Sequence, residues 1–572
     1  MYKDLVNRLN NIISKKYVPI IIILVASIFV SIPLLSDKLN MLYDDGVQHI
    51  CRLMGTFQSI VEGQTFPVIM SNFANGFGYS WNLFYSPVTA YIPLIFKIIG
   101  VSFTNCIKIF MFLVVFLSGL SMYFFTKKVT KNDIVSTLAA IIYIFAPYRL
   151  TDMYIRNAIA ELTSFIFLPM VFMGIYNILN EKKNDYILAI GAIGLILTHL
   201  IIGMYTAIIS FIYLLVNYKK LKDIEIIKKL AINILLIIVI TSFFWAPLLE
   251  HKLATEYEVF KEGRMERTEV LVAYKLGFSE LFVTMQNGGM IYEIGWVSII
   301  GLVLTPIVIK KLKEHKDTPF YKMYLFSLIS GLICLFMTLK IFPFEKLPAI
   351  LKMLQFSFRL LEFSSFFLAF VVAVNIAVIS KKIKMSDVLI LLVILMILTL
   401  FYVGNLHFLE EKYDENRLWP AVKVTKDTGR VHAGLASFEY LPSKAFENRS
   451  YIETRSQDVL VLEGNATIEK QEKENTNLYC ELVNITEGTK IELPYIYYLG
   501  YKVTLNGNGE KINLKTFETE NGFIGVNLPQ MERGAITVEY EGTTIMKVSS
   551  MVSIIGICIL GYMYIKNKKD RK

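Results

Sequence analysis

The stretch LYDDGVQHICR, residues 42 to 52, lies a few residues beyond the first long apolar run, YVPIIIILVASIFVSIPLL at 17 to 35. If the stretch is helical, Asp45, His49 and Arg52 fall at i, i+4 and i+7, so a carboxylate, an imidazole and a guanidinium share one face. The apolar run before it is long enough to cross a bilayer. The pattern predicts a charged helix just outside the first membrane span, with a solvated loop as the alternative.

The composition is that of a membrane protein. Of 572 residues, 54% are hydrophobic and 19% are charged, and the mean hydropathy is +0.51. Many apolar runs reach the roughly 18 residues that a membrane-spanning helix needs. The net charge of +10 comes from short lysine clusters between these runs, as the positive-inside rule predicts, so we expect no nucleic-acid partner. We predict a polytopic α-helical membrane protein in contact with membrane lipids.

One topology places every lysine-rich connection in the cytoplasm. It has about twelve transmembrane helices, from an uncleaved first span at 17–35 to a last span at 547–565, with the N- and C-termini cytoplasmic. Large outer loops are predicted at 36–102 and 247–292, and the apolar piece at 88–100 is interpreted as a helix lying on the outer interface. The predicted location is the plasma membrane.

A change in composition divides the chain further. Residues 405–545 are polar, and runs such as YKVTLNG and AITVEYEG alternate with period two between turn residues. Such alternation predicts β-strands. We therefore predict a transmembrane domain of eleven spans at 1–404, an extracytoplasmic β-sandwich-like domain at 405–545, and a final span with a basic tail at 546–572. The five cysteines lack paired spacing, which favours neither a disulfide framework nor a zinc site.

In this topology the ionisable residues converge on the outer side. Charges at the edge of the hydrocarbon layer are costly and face a bundle interior or a cavity. Acids framed by cations suit transfer from a lipid-phosphate donor, because a carboxylate takes a hydroxyl proton while Arg or Lys stabilises the leaving phosphate. The catalytic candidates are Asp44, Asp45, Asp152 and Glu161. The substrate-binding candidates are His49, Arg52, Lys108, Arg156, His199, Arg359 and Glu362.

Several of these residues have a structural alternative. Arg359 and Glu362, at i and i+3, could pair with each other. His199 lies in an apolar stretch that is more typical of a packed, hydrogen-bonded histidine than of a catalyst, and Arg149 could be an interfacial anchor. The aromatic residues of the 72–87 stretch predict either an interfacial belt or a sugar platform; they are Phe77, Tyr79, Trp81, Phe84 and Tyr85.

Several motifs carry a resemblance to a known family. They are Asp45-x3-His49-x2-Arg52, FGYSWNLFYSP at 77–87, APYRLTDMYIRNAIAE at 146–161, Thr198-His199 and QFSFRLLEF at 355–363. Together they resemble the bacterial "6-pyruvoyl-tetrahydropterin synthase related" membrane proteins, with kinship to YfhO-type proteins, although no residue supports pterin chemistry. The order of elements also resembles the GT-C superfamily of membrane glycosyltransferases. The outer domain, with GLASFEYLPSKA at 434–445 and LPYIYYLGYKV at 493–503, fits more loosely.

The resemblance implies a glycosyltransferase that moves a sugar from a polyprenyl-phosphate-linked donor to a cell-envelope glycan, glycopolymer or lipid. Asp45 would then be the base or a metal-orienting carboxylate, with Asp44 as its alternative. Glu161 or Asp152 would match the second acid. Arg359 and Lys108 would contact phosphate. The cofactor is undetermined, and a divalent metal is compatible with these acids.

Two other classes of function compete with this one. A transporter or flippase for a lipid-linked sugar is disfavoured because the charges cluster at one interface and the sequence shows no internal repeat. A non-catalytic assembly protein of the cell envelope is disfavoured by the presence of Asp45, His49 and Arg52 together.

Overall fold

The computed structural model describes residues 15, 17–36, 44–64, 66–261, 263–264, 268–283, 290–383, 385–410, 422–424, 431–433, 438–507 and 509–569. Residues 42 and 43 of the first outer stretch lie outside this part of the chain. So do residues 434–437 of the outer domain.

The regular elements of the described chain from Val18 to Glu410 are helices; beyond it two short helices lie among the β-strands and one long helix follows them. The longer helices are Val18–Ser31, Asp45–Val61, Phe103–Thr130, Asp133–Ile144, Ile159–Glu181, Ile187–Thr198, Leu200–Val216, Ile224–Ile240, Ser242–Ala254, Trp296–Val303, Thr305–Leu312, Pro319–Met337, Leu360–Lys382, Asp387–Glu410 and Thr544–Lys569. Shorter helices are Trp81–Phe84, Val88–Tyr91, Leu94–Ile98, Pro147–Leu150, Thr268–Ala273, Ala349–Lys352, Ser443–Glu447 and Arg449–Thr454.

Six helical segments of the described chain are long and apolar enough to cross a membrane. They are Val18–Leu35, Phe103–Thr130, Ile159–Glu181, Pro319–Met337, Ser357–Lys382 and Thr544–Lys569. Two further pairs, Asp133–Ile144 with Pro147–Ile155 and Ile224–Ile240 with Ser242–Ala254, bend by 42° and 63°. The number of candidate spans is therefore six to eight, which confirms a multi-pass helical membrane protein.

The count of twelve spans stays a prediction, because several helices at the predicted positions are short. His199, for example, adopts an extended conformation (φ −147°, ψ 98°) that separates the helices Ile187–Thr198 and Leu200–Val216. Residues 88–98 form two short helices, and their place at the outer interface stays a prediction. The helix Asp387–Glu410 continues beyond the expected boundary at 404, since FYVGNLHFLE contains no proline to end it.

Glycines let neighbouring helices of the bundle pack closely. A Cβ atom on Gly174 would lie 2.4 Å from the backbone nitrogen of Leu188. A Cβ atom on Gly191 would lie 2.9 Å from the backbone nitrogen of Val171. Close approach through small residues is a common way for helices to associate in a membrane, where lipid chains are as apolar as the side chains. The helices Ile159–Glu181 and Ile187–Thr198 therefore depend on these two glycines.

The C-terminal part of the chain forms antiparallel sheets, which confirms the predicted β-rich region. Its strands are β1 Val422–Val424, β2 Val431–Ala433, β3 Leu460–Glu463, β4 Thr467–Glu474, β5 Asn477–Ile485, β6 Lys490–Ile496, β7 Tyr501–Gly507, β8 Glu510–Leu514, β9 Thr516–Glu518, β10 Phe523–Asn527 and β11 Met531–Tyr540. Strands β1 and β2 pair with each other, a four-stranded sheet has the order β3-β6-β10-β9, and a five-stranded sheet has the order β4-β5-β11-β7-β8. Alternate residues of the two larger sheets, such as Leu482 and Ile491, are buried in a shared apolar core.

The aromatic stretch at 72–87 forms the contact between the β-sheets and the helices. Its backbone carbonyls accept hydrogen bonds from the outer domain: Phe77 from the amide of Ile496 at 3.1 Å, and Gly76 from Nζ of Lys473 at 2.7 Å. The rings of Phe77 and Phe523 pack with centroids 5.1 Å apart. Four of the five singled-out aromatic residues are buried in this interface, namely Phe77, Tyr79, Trp81 and Phe84. Their packing explains these residues without a lipid belt or a sugar platform.

The Gly174→Ala variant should be less stable than wild type, because its new methyl group meets the backbone of the adjacent helix. We expect a loss of about 1–3 kcal/mol in the free energy of unfolding, the usual cost of overpacking. Thermal unfolding of the purified protein in detergent measures it. The matched control is Gly561→Ala, where no atom lies within 4 Å of the added methyl group. Equal stability of the two variants would contradict the close packing at Gly174.

Candidate functional site

Arg156 is the centre of a cluster of charged side chains. Its Nη1 lies 2.8 Å from Oδ1 of Asp152 and 2.9 Å from Oε2 of Glu161. Its Nη2 lies 3.4 Å from Oδ2 of Asp45, and its Nε lies 3.8 Å from Oδ2 of Asp44. The structure thus brings together all four acids that the sequence suggested as catalytic, around one guanidinium that is almost fully buried.

The local backbone explains how Arg156 reaches this position. It follows a π-helical turn, Thr151–Ile155, which ends the bent helix pair. Such turns are rare and often occur at functional sites. The next residue, Asn157, has a positive φ of 51°, which redirects the chain into the helix Ile159–Glu181. The carbonyl of Arg156 accepts a hydrogen bond of 3.0 Å from the amide of Asp45, which ties this turn to the outer helix.

Two helix N-termini point at the cluster. Asp45 lies in the first turn of the helix Asp45–Val61, and Glu161 lies in the first turn of Ile159–Glu181. The positive end of a helix macrodipole stabilises a carboxylate at that position. The prediction that Asp45, His49 and Arg52 lie on a helix is confirmed by the bounds of the first of these helices.

Glu161 joins Arg156 to a second arginine. Nε of Arg359 lies 3.0 Å from the same Oε2 atom of Glu161 that Arg156 contacts. The other oxygen, Oε1, accepts a hydrogen bond from the hydroxyl of Tyr148. Nη1 of Arg359 donates to Oε1 of Gln355 at 2.7 Å, and Gln355 itself has a positive φ of 67°. The two guanidinium groups are thus held on either side of one buried carboxylate.

Glu362 lies behind this cluster and does not pair with Arg359, so that alternative is wrong. Its Oε1 accepts a hydrogen bond of 2.7 Å from Ser164, and its Oε2 has no partner among the described residues. Arg149 is also fully buried, with its guanidinium 4.3 Å from the ring centroid of Phe165. It is therefore part of the bundle interior and not an interfacial anchor.

The two aspartates form the exposed front of the cluster. The side chains of Asp44 and Asp45 are each 40% exposed, whereas that of Arg156 is 3% exposed. Asp44 adopts φ 48° and ψ −119°, a conformation that residues other than glycine rarely occupy. Strained backbone of this kind tends to persist at functional sites. Partial burial and the charge of Asp45 raise the pKa of Asp44 to about 6, although Arg156 opposes the shift.

The two histidines lie close to the cluster in different roles. The His49 ring packs edge-on against Tyr85, with centroids 6.0 Å apart. Burial lowers the pKa of His49 to about 4, partly opposed by the charge of Asp45, so this imidazole is neutral at pH 7. Nδ1 of His199 accepts a hydrogen bond of 3.2 Å from the amide of Ile202 and so caps the helix Leu200–Val216. The structural role expected for His199 is therefore present.

Arg52 was expected to bind substrate, but its guanidinium is occupied by the protein. It donates to Oδ1 of Asn82 at 2.9 Å and to the carbonyls of Tyr85 and Ser86 at 2.9 and 3.0 Å. It also contacts the hydroxyl of Thr89 at 3.4 Å. Because these bonds use most of its donors, Arg52 fixes the aromatic stretch to the outer helix.

Lys108 contacts a backbone carbonyl, whereas Arg156 and Arg359 contact the carboxylate of Glu161. Its Nζ donates to the carbonyl of Ser36 at 2.9 Å, just beyond the end of the first span. This contact holds the first span against the helix Phe103–Thr130. The expectation that Lys108 binds phosphate therefore gains no support from its position.

Sequence reasoning missed Tyr148 and Gln355, which orient Glu161 and Arg359. Both residues lie inside motifs that carried the family resemblance, at 146–161 and 355–363. Their position in the sequence was the available signal, because each is a polar residue within the same motif as the charged residue that it orients. Asn82, whose side-chain oxygen accepts a hydrogen bond from Arg52, was missed too, and it lies in the 77–87 motif.

The cluster has more carboxylates than guanidinium groups, and its outer edge is loosely held. The contacts of Arg156 with Asp45 and Asp44, at 3.4 and 3.8 Å, are longer than its contacts with the buried acids. The Nη2 atom of Arg359 makes no hydrogen bond within the described part of the chain. Among the described residues, no group of three or more His, Cys, Asp or Glu side chains is arranged to hold a metal ion. The outward edge of Arg156 and Nη2 of Arg359 are therefore the donors that an anion could reach, and the exposed aspartates could take up a proton.

The Arg52→Met variant should lose stability, because it leaves the carbonyls of Tyr85 and Ser86 and the amide of Asn82 without their buried donor. We expect the free energy of unfolding to fall by about 2–4 kcal/mol, measured by denaturant or thermal unfolding in detergent. Arg533→Met is the control, since its side chain is 66% exposed and its ion pair is a surface one. Unchanged stability of Arg52→Met would contradict the structural role.

Comparison with known proteins agrees with the expected family. The model of the "6-pyruvoyl-tetrahydropterin synthase related domain; membrane protein" family matches residues 83–408. An uncharacterized protein of Lactococcus lactis subsp. cremoris is 27% identical over 226 residues, which are 38% of this chain and 37% of that protein.

Solved structures with a similar fold include the oligosaccharyltransferase of Archaeoglobus fulgidus in its apo form, with 12% identity and a TM-score of 0.44. Another is the same enzyme, AglB, in complex with an inhibitory peptide and a dolichol-phosphate, with 11% identity and a TM-score of 0.42. In both cases the match covers 78% of this chain and 59% of the other. This chain thus spans less than two thirds of the length of these relatives. Since the family model covers more than half of the chain, the protein belongs to the 6-pyruvoyl-tetrahydropterin synthase related family of membrane proteins.

Proposed function

We propose that this protein is an integral-membrane glycosyltransferase of the GT-C type. It transfers a sugar from a polyprenyl-phosphate-linked donor to a glycan, glycopolymer or lipid of the cell envelope, on the outer face of the plasma membrane. The observation that carries the proposal is the Arg156 cluster, in which exposed acids stand in front of two buried arginines at one end of the helical bundle.

The arginines suit a phosphate leaving group. When the bond between the sugar and the phosphate breaks, negative charge develops on the phosphate oxygens, and preorganised donors at that point stabilise the transition state. Arg156 and Arg359 are fixed by Glu161 only 2.9 and 3.0 Å away, so their orientation does not depend on substrate. The loosely paired edge of Arg156 and the Nη2 atom of Arg359 supply the donors.

Asp45 suits the role of the base. In the proposed reaction an acceptor hydroxyl oxygen forms a bond to the anomeric carbon, Asp45 takes the hydroxyl proton, and the polyprenyl phosphate leaves with the electron pair of the broken bond. Asp45 is partly exposed, whereas Asp152 and Glu161 are buried and bound to Arg156. This difference supports proton transfer by Asp45, with Asp44 as the alternative, and a role of Asp152 and Glu161 in positioning the arginines.

The Asp45→Asn variant should lose transferase activity while it stays folded. Wild-type protein in lipid nanodiscs is offered a panel of radiolabelled polyprenyl-phosphate sugars together with envelope glycans, and the release of labelled sugar is measured. We expect the rate with the accepted donor to fall at least about a hundredfold in Asp45→Asn, the usual size of a general-base effect. Arg359→Ala should lower kcat, because it removes a donor that stabilises the leaving phosphate in the transition state.

The matched control is Asp458→Asn, which makes the same chemical change at an exposed position of the outer domain. It should keep the wild-type rate. If wild type consumes no donor, or if folded Asp45→Asn keeps its rate, the transferase proposal fails. A transport or assembly function would then be favoured, because neither requires cleavage of the donor.

Donor binding should depend on pH through Asp44. Since the pKa of Asp44 is about 6, it gains a proton as the pH falls through 6, and one negative charge in front of Arg156 disappears. An anionic donor should therefore bind more tightly at pH 5.5 than at pH 7.5, by about fivefold. This factor corresponds to about 1 kcal/mol, the interaction energy of two unit charges about 4 Å apart in water. Titration with a non-transferable donor analogue measures the dissociation constant. Asp44→Asn should bind tightly at both pH values, and the same pH dependence in that variant would exclude Asp44 as its origin.

A further inference from the structure

A second polar feature lies at the other end of the bundle. A groove of about 500 Å³ opens between the ends of several helices, and its lining includes Lys182, Lys183, Asn184, Tyr186, Lys229 and Asn567. The helix Ile159–Glu181 begins at the Arg156 cluster and ends at this groove. At about 1.5 Å per residue, its 23 residues span roughly 35 Å, which is enough to cross the hydrocarbon layer of about 30 Å. The groove therefore lies at the opposite membrane boundary.

The loop that forms one wall of the groove is held in a strained conformation. Lys182 and Tyr186 have positive φ angles of 50° and 60°, and for a bulky residue such as Tyr186 this is a true outlier. Two hydrogen bonds from neighbouring helices fix the loop at Asn184. Nδ2 of Asn233 donates to its side-chain oxygen at 2.9 Å, and Nδ2 of Asn567 donates to its carbonyl at 2.8 Å. The groove is thus preformed by three separate parts of the chain.

The charge of the groove is positive. The Nζ atom of Lys183 forms no hydrogen bond or ion pair with any residue that the structure describes, whereas its backbone amide donates to the carbonyl of Asn177 at 3.2 Å. Lys182 and Lys229 pair with Asp223 and Glu225 at 2.6 and 3.0 Å, contacts that are partly exposed and therefore weak. The one acid in the lining, Glu181, is already paired with Lys128 and Lys131. An anion entering the groove would meet the ammonium of Lys183 directly and would compete only with weak, partly exposed ion pairs for Lys182 and Lys229.

Apolar helix faces flank the groove toward the membrane. The helix Ile224–Ile240 exposes Ile227 and Ile234, and the helix Thr544–Lys569 exposes Ile559 and Ile565. These side chains lie on candidate spans, so in a bilayer they face lipid chains. A ligand with a charged head and apolar tails would satisfy both the lysines and these faces, whereas a free anion would use the lysines alone.

We propose that this groove binds the phosphate-bearing headgroup of an anionic membrane lipid, with its acyl chains along the helices Ile224–Ile240 and Thr544–Lys569. Basic pockets between membrane helices at the boundary of the hydrocarbon layer commonly bind such headgroups. Lys183 and Lys229 contact the phosphate, and Asn184 and Asn567 shape the pocket. This site is separate from the Arg156 cluster and does not depend on the proposed transferase activity.

The test measures lipid binding to the delipidated, full-length protein in detergent. Phosphatidylglycerol and phosphatidylcholine are titrated separately, and the bound lipid is counted by native mass spectrometry. We expect wild type to retain phosphatidylglycerol and to release phosphatidylcholine. Lys183→Gln and Lys229→Gln should each weaken phosphatidylglycerol binding about fivefold, since one lysine near a membrane surface contributes about that factor.

Lys228→Gln is the matched control, because Lys228 is the exposed neighbour of Lys229 on the same helix and does not line the groove. It should bind phosphatidylglycerol as wild type does. Equal weakening by Lys228→Gln would overturn the proposal, because general surface charge would then explain the binding. Equal retention of the two lipids would also overturn it. Displacement of the lipid by inorganic phosphate at equal concentration would show a free-anion site and would overturn the assignment to lipid.

Discussion

Burial of the Arg156 guanidinium is the constraint on which the rest of the site depends. Moving a charge out of water costs several kcal/mol, and removing one partner of a buried pair typically destabilises a protein by about 3–5 kcal/mol. Arg156 therefore requires its carboxylates, and they come from two distant parts of the chain. The first outer helix, the bent pair before Ile159 and the start of the helix that follows must all converge for the charge to be satisfied.

The need of buried Arg156 for carboxylate partners divides the four acids into a buried pair and an exposed pair. Asp152 and Glu161 lie inside the protein and hold the arginine, and one oxygen of Asp152 has no hydrogen-bond partner among the described residues. Asp44 and Asp45 face outward and contact the arginine at longer distances. Electrostatic preorganisation of this kind places the donors before substrate arrives, so little reorganisation is needed during reaction. The strained backbone at Asp44, Asn157 and Gln355 shows where the fold holds the cluster in place.

Much of this arrangement follows from sequence, because apolar runs, lysine clusters and charged motifs report membrane spans and costly buried charges directly. Those signals predicted the helical and β-rich parts and selected all four acids around Arg156. They did not show that the guanidinium of Arg52 would donate its hydrogen bonds to Asn82 and two backbone carbonyls, since long-range hydrogen bonds leave no periodic pattern in the sequence. Nor did they show that Arg359 would form its ion pair with Glu161 and not with the nearby Glu362. That pairing depends on the packing of two helices that are far apart in the sequence. The π-helical turn likewise depends on tertiary contacts that local propensity does not encode.

The β-rich domain is attached to the helices through hydrogen bonds to backbone carbonyls as well as through buried aromatic side chains. The carbonyls of Asn75, Gly76 and Phe77 accept the hydrogen bonds that come from Gln457, Lys473 and Ile496. A carbonyl is present whatever the side chain, so these three hydrogen bonds do not depend on the side chains of the segment that accepts them, although the buried ring of Phe77 does pack on Phe523. What it does require is the turn itself, in which Gly76 and Gly78 have φ angles of 83° and 91°. The sequence requirement of these hydrogen bonds therefore falls on the two glycines of the turn and on Gln457 and Lys473, whose side chains are two of the three donors.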